Sequence, residues 1–119
     1  MKSVLIVDDS IAVARQLEKI VNSDDAFEVV AQGRNGAEAI KLCQQHKPDI
    51  VCMDMNMPVM DGLTALRNLM QLTPDLKVVM VTSLGGVGDK YTEAIRLGAK
   101  DVISKPFEKD NVLEMLKRL

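Results

Sequence analysis

The stretch Ile50–Asp54 constrains this chain most. Ile50, Val51, Cys52 and Met53 form an unbroken apolar run that stops on a carboxylate, after which Pro58, Asp61 and Gly62 turn the chain. A short run of this kind, bounded by turn residues, is a strand buried on both faces. Asp54 therefore stands at the carboxyl end of a sheet strand, the edge at which open α/β sheets bind their ligands.

The same pattern recurs along the chain. Residues 3–7 (SVLIV) run into Asp8 and Asp9, residues 77–81 close on Thr82 and Ser83, and residues 102–104 end at Lys105 and Pro106. Residues 27–31 supply a fifth strand. Between the strands the apolar period changes from two to that of a helix. Ile11, Ala14, Leu17 and Val21 mark the first helix with Ser10 near its cap, and Asn35 with Glu38 resembles a capping box ahead of Ala39, Ile40 and Cys43. Leu63, Leu66, Leu69 and Met70 mark the third helix. Residues 90–97, with Gly98 as a C-terminal cap, give the fourth, and Val112, Leu113, Leu116 and Leu119 line the last. Five nearly continuous apolar strands alternating with five helices predict a doubly wound α/β fold, a parallel sheet covered on both faces.

At 119 residues the chain has room for one domain, 1–119, that needs no disulfide or metal staple. A formal net charge of −2 offers no general attraction for nucleic acid or an anionic membrane, so neither is an expected partner of this chain. Cys43 and Cys52 lack any paired spacing and read as small buried apolar residues of a reducing compartment. The first strand begins within three residues of Met1, with no signal-peptide pattern or membrane span, and the expected location is cytoplasmic.

Ends of parallel strands lie side by side, so Asp8, Asp9, Asp54, Thr82 and Lys105 are expected on one small patch. Three crowded carboxylates repel, and each unit of pKa shift is worth about 1.4 kcal/mol, so the patch calls for a cation. Hard oxygen ligands open to water favour Mg²⁺, and the histidine and cysteine ligands that zinc prefers are missing. A lysine and a threonine hydroxyl facing the same point are equipment for a phosphoryl group, with Asp54 as the nucleophile that would form an acyl phosphate.

These segments together, Asp8 to Ser10 (DDS), Asp54 to Gly62 (DMNMPVMDG), the VTS that ends the fourth strand and the KPF beginning at Lys105, resemble the receiver domain of two-component response regulators. The likeness spans essentially the whole chain, and its nearest general form is the single-domain chemotaxis regulator of the CheY type. The strand order 2-1-3-4-5 comes with that resemblance rather than from the residues. So do the roles. Asp54 would be the phosphoacceptor taking a phosphoryl group from a phosphohistidine of a sensor kinase or phosphotransfer protein. Asp9 and Asp54 would bind Mg²⁺ directly, Asp8 through water, and the backbone carbonyl of Asn56 would complete the set. Lys105, with a cis bond to Pro106, would pair with the phosphoryl group. Thr82 would move toward it, and a downstream protein would read the fourth helix, fifth strand and fifth helix. The chain would act as a monomer or a phosphorylation-dependent dimer.

Two features depart from the family pattern. Position 102, where receivers often carry Tyr or Phe, is Val, and the 85–88 stretch is longer and richer in glycine than in the chemotaxis regulator, resembling receivers of chemotaxis methylesterases. Signal output is therefore expected to run through Thr82, the 85–88 loop and the start of the fourth helix near Tyr91. The rival readings are a receiver cut from a larger regulator such as a methylesterase or transcription factor, a degenerate receiver serving only as an interaction module, and an aspartyl-phosphate phosphotransferase or phosphatase. The last of these needs an acid at position 56, which is Asn. The GGVG of 85–88 lacks the ending of a nucleotide-binding loop. His46 reads as solvated, and Met53, Met55, Met57 and Met60 read as packing against the first and third helices.

Overall fold

The computed structural model describes residues 1–83 and 89–119. Among these described residues ten elements alternate: β1 (Lys2–Val7), α1 (Ile11–Asn22), β2 (Phe27–Gly33), α2 (Gly36–His46), β3 (Ile50–Asp54), α3 (Gly62–Leu72), β4 (Lys77–Thr82), α4 (Asp89–Arg96), β5 (Asp101–Ser104) and α5 (Lys109–Lys117). All four strand pairings are parallel and the sheet order is β2-β1-β3-β4-β5. From β1 the chain turns first to one side and then to the other. The switch in direction falls between β1 and β3, and it leaves a crevice at their carboxyl ends.

The pleat sorts the apolar residues into two cores. Val4, Ile6, Ile50, Cys52, Val79, Val81 and Ile103 pack with α1 and α5, whereas Leu5, Val7, Val51, Met53, Val78, Met80 and Val102 pack with α2, α3 and α4. Period-two alternation of wholly apolar strands is what a sheet buried on both faces requires. The methionines follow from it. Met53 and Met55 are buried among Ala39 and Cys43 of α2 and Ala65, Leu66 and Leu69 of α3, with Met57 and Met60 packed on that cluster. The expected partner α1 lies on the other face, so α2 takes its place.

The starts of α1 and α2 are held as the sequence implies, and that of α3 is capped by Asp61, which the sequence marks only as a turn residue. Ser10 Oγ accepts from Val13 N–H and Asn35 Oδ1 from Glu38 N–H, while Asp61 Oδ1 accepts from Thr64 N–H. In the Asn35–Glu38 box the return arm lands one residue early, with Arg34 N–H donating to Glu38 Oε1 at 2.9 Å. Gly98 ends the fourth helical segment at φ +116°, a backbone region that suits glycine. His46 is exposed and both cysteines are buried, burial pushing the Cys52 thiol up to about 12. Among the described residues no helix is long and apolar enough to cross a membrane. The 85–88 loop expected to carry the output lies outside the described residues.

β2 differs most from its expected form. It runs two residues beyond 31, through Gln32 to Gly33, and its register with β1 shifts between Val4 and Leu5 so that Val30 is the extra residue of a bulge. As an edge strand it is only partly buried. Half-buried Gln32 therefore continues it at little desolvation cost, and Gly33, which is buried, brings no polar side chain.

Candidate functional site: an acid cluster and a lysine at the carboxyl edge

Each ladder continues one step past its strand, and this fixes the site. Asp8 N–H donates to Gly33 O at 3.0 Å, Met55 N–H to Val81 O at 3.0 Å and Lys105 N–H to Thr82 O at 2.8 Å. Because β1 adjoins β3, Asp8 and Asp9 meet Asp54, and one oxygen of each carboxylate lies within 4.8 Å of the others. Asp8 and Asp54 are buried, 3% and 6% exposed, while Asp9 faces water.

Lys105 starts two strands away from β3 and its long side chain crosses the end of β4. Its ammonium reaches Asp8 Oδ2 at 3.3 Å and Asp54 Oδ1 at 3.5 Å. The peptide from Lys105 to Pro106 is cis, as the resemblance implies. Asp8 is held a second time, since its Oδ1 accepts from Ser10 N–H at 2.9 Å. Thr82 is buried at the adjoining strand end, one residue beyond the Val81 that pairs with Asp54. Asn56 stands in the exposed loop after β3, where its Oδ1 accepts from the Lys90 ammonium of α4 at 3.4 Å.

Behind Asp54 the backbone is tightly confined. Gly62 N–H donates to Met55 O at 2.9 Å, and a Cβ on Gly62 would collide with the Asp54 carbonyl. Glycine there lets the start of α3 press against the end of β3, which fixes the height of Asp54.

Burial raises the Asp54 carboxyl above the ordinary carboxylate range, and the Asp8 charge adds to this, against the lowering pull of Lys105. One ammonium is thus too little positive charge for three carboxylates. The donor set is all oxygen, one member is open to solvent, and the local charge is unbalanced. It fits a hard divalent cation such as Mg²⁺.

Sequence reasoning missed Arg34. Its guanidinium lies over the end of β2, with Nη1 3.4 Å from the Asp8 carbonyl and 3.5 Å from the Gly33 carbonyl, and Nη2 3.0 Å from Gln32 Oε1. The rule that strand ends converge also applies to β2. Ending that strand at 31 kept Arg34 off the edge.

This edge, on this sheet, defines a phosphoryl-handling α/β switch domain, and the match to known proteins gives its family. Residues 4–117 match the response regulator receiver domain, and the chain belongs to that family. Among its relatives the chemotaxis protein CheY of Listeria monocytogenes is 47% identical over 118 residues, covering 99% of this chain and 98% of that protein. The response regulator domain of Thermotoga maritima CheB superposes with a TM-score of 0.91 at 34% identity, over 99% of this chain and 95% of that one. A CheX–CheY–BeF3–Mg²⁺ complex from Borrelia burgdorferi gives 0.92 at 34% identity, over 98% and 87%. The chain is a receiver of two-component signalling, a class that binds Mg²⁺, and it closely matches the CheY chemotaxis regulators.

Proposed function

We propose that this chain, as a single receiver unit over 1–119, accepts a phosphoryl group on Asp54 from a phosphohistidine of a sensor kinase or phosphotransfer protein. The observation that carries the reading is a buried carboxylate, raised above its ordinary range, between two further acids and one lysine ammonium. An Asp54 carboxylate oxygen attacks phosphorus, the P–N bond to the donor imidazole breaks with its electron pair left on that nitrogen, and the nitrogen takes a proton from solvent to leave as neutral imidazole. Lys105 then exchanges its contact with the Asp54 carboxylate for a phosphoryl oxygen, and the Thr82 hydroxyl donates to another. Asp9, Asp54 and the Asn56 carbonyl, with Asp8 through water, would hold Mg²⁺, which would supply charge to offset that of the phosphoryl oxygens. Burial of Asp8 and Asp54 keeps bulk water from screening these charges.

The chain has no separate substrate to turn over and acts by changing its surface toward a downstream protein target, through α4, β5 and α5. The likeness to CheY proteins supports a role in chemotaxis. Against a phosphotransferase stands Asn56, which cannot serve as the second acid. The test is incubation with Mg²⁺ and acetyl phosphate followed by location of the added mass. Wild type gains one phosphoryl group and Asp54→Ala gains none. Modification retained in Asp54→Ala would overturn the assignment.

A further inference from the structure

The peptide between Asp8 and Asp9 is held from outside the acid cluster, and its holder bears a charge of the wrong sign for a cation site. Arg34 Nη1 lies within hydrogen-bonding reach of the carbonyls of both Asp8 and Gly33, the two residues that also share the last ladder bond, Asp8 N–H to Gly33 O. Gln32 Oε1 takes Nη2 at 3.0 Å and so aims the fork. Arg34 is itself anchored, since its N–H donates to Glu38 Oε1 in the first turn of α2. The Asp8 side chain is tied independently to Ser10 N–H and to Lys105. For the exposed Asp9 side chain, by contrast, no hydrogen bond or ion pair is found among the described residues. The orientation of Asp9 then depends on the peptide that precedes it, and the described side-chain donor to that peptide is Arg34.

We propose that Arg34 is a positioning residue for the cation site: its guanidinium clamps the Asp8–Asp9 peptide and so presents the Asp9 carboxylate to the metal. The role rests on the cation site proposed above. It carries an opposing electrostatic effect, because a guanidinium near the acids repels an incoming Mg²⁺. The two effects make predictions of opposite sign. If positioning dominates, Arg34→Ala binds Mg²⁺ more weakly. If charge dominates, it binds more tightly. Arg34→Lys sharpens the contrast, for it keeps the charge but replaces the planar fork with a point ammonium that cannot span Asp8 O, Gly33 O and Gln32 together. Under the clamp it loses at least as much affinity as Arg34→Ala, and under charge alone it matches wild type.

The experiment is calorimetric titration of wild type, Arg34→Ala, Arg34→Lys and Gln32→Leu with Mg²⁺ alone, alongside amide spectra of the metal-free proteins. Outer partners that orient metal ligands are typically worth about ten- to a hundredfold in affinity, so a loss of about tenfold is expected in both Arg34 variants. The metal-free spectra should show displaced Asp9 and Ser10 amides in the same two. Gln32→Leu keeps Arg34 and its charge but releases its aim, and it should lose affinity in the same direction by less. That variant carries the test should an Arg34 variant fail to fold. At saturating Mg²⁺, labelling of Asp54 by acetyl phosphate should return to the wild-type level. An Arg34→Lys protein that binds as wild type does, or an Arg34→Ala protein that binds more tightly, overturns the clamp and leaves the cation site standing. Wild type with no measurable Mg²⁺ binding overturns the cation site and the clamp with it.

Discussion

Acids stand at both edges of the sheet, and the Asp8, Asp9 and Asp54 cluster at the carboxyl edge is treated in the opposite way from Asp24 at the amino edge, whereas the cap Asp61 beside the cluster is lowered by Thr64 N–H. At the amino edge, Asp49 joins the start of β3 to that of β1: its Oδ2 accepts from Ser3 N–H at 2.8 Å, and its own N–H donates back to Ser3 Oγ at 3.0 Å. Asp24 there accepts from Ala26 N–H at 2.9 Å and meets the Lys117 ammonium of α5 at 2.7 Å, and these contacts lower its carboxyl below the ordinary range. At the carboxyl edge three acids share one lysine, and the Asp54 carboxyl is raised. An acid whose surroundings favour its charge serves the fold. One whose surroundings oppose it does nothing for the fold by being charged, and at this edge the cluster carries unfavourable charge that a cation would relieve.

The largest effect on that comparison should come from Lys105→Met, which keeps an unbranched apolar stem and removes the cation. Asp8 and Asp54 are then left as buried neighbours with no ion-pair partner among the described residues. Removing one member of a buried pair commonly costs about 3 to 5 kcal/mol. The Lys105 side chain is 22% exposed, and Asp54 can take up a proton, so a loss of about 2 kcal/mol is expected at neutral pH. Urea unfolding measures it. Mg²⁺ should return most of the loss, and a variant as stable as wild type without metal would mean that the edge is not strained.

Asp54→Asn should act the other way. Its folded carboxyl is raised, so between the unfolded value near 3.8 and the folded value the native state holds more protons than the unfolded one. Stability therefore falls as pH rises through that window and stays low above it. The amide carries no charge to be opposed, and in metal-free protein at neutral pH the variant should gain on the order of 1 kcal/mol, against the usual direction for a substitution. The gain should vanish as pH falls toward 3.8, where wild type is protonated as well. Thermal unfolding across that range with a chelator present would show it. A destabilised Asn variant would mean that Lys105 more than offsets the repulsion.

How far each edge was legible in the sequence follows from the same contrast. The functional edge shows because apolar runs stop abruptly on Asp8, Asp54, Thr82 and Lys105, and a parallel sheet brings such ends together. What the runs do not encode is which helix covers which face. That depends on strand order, and it is why the methionines of β3 and its loop meet α2 where α1 was expected. Arg34 was hidden for a different reason: β2 lies at the border of the sheet, where polar Gln32 and Gly33 can extend a strand, so its end carries no apolar-to-polar break. The amino edge is less legible still. Nothing in the one-dimensional pattern joins Ser3 to Asp49 or Asp24 to Lys117, since such contacts are set by where loops land. The bond from Lys90 to Asn56 is of the same kind.

The smallest effect should be that of Asp24→Asn, and it tests the quiet half of the contrast. Lys117 is the larger cause of the lowered Asp24 carboxyl and the Ala26 N–H the second, so the folded group sits below the unfolded 3.8. A depressed carboxyl contributes stability that is present above the unfolded value and is lost as pH falls through the folded one. Wild type should thus show an acid slope between about pH 4 and the lower folded value that the variant lacks. Above that window the two should differ by a constant amount, smaller than either effect at the other edge. The pair is open to solvent, with the Lys117 side chain 53% exposed, so added salt should shrink even that difference. The Asp54 gain should survive salt better, because its surroundings are buried. If salt removed both effects equally, burial would not be what separates the two edges, and the difference between them would reduce to a count of nearby charges.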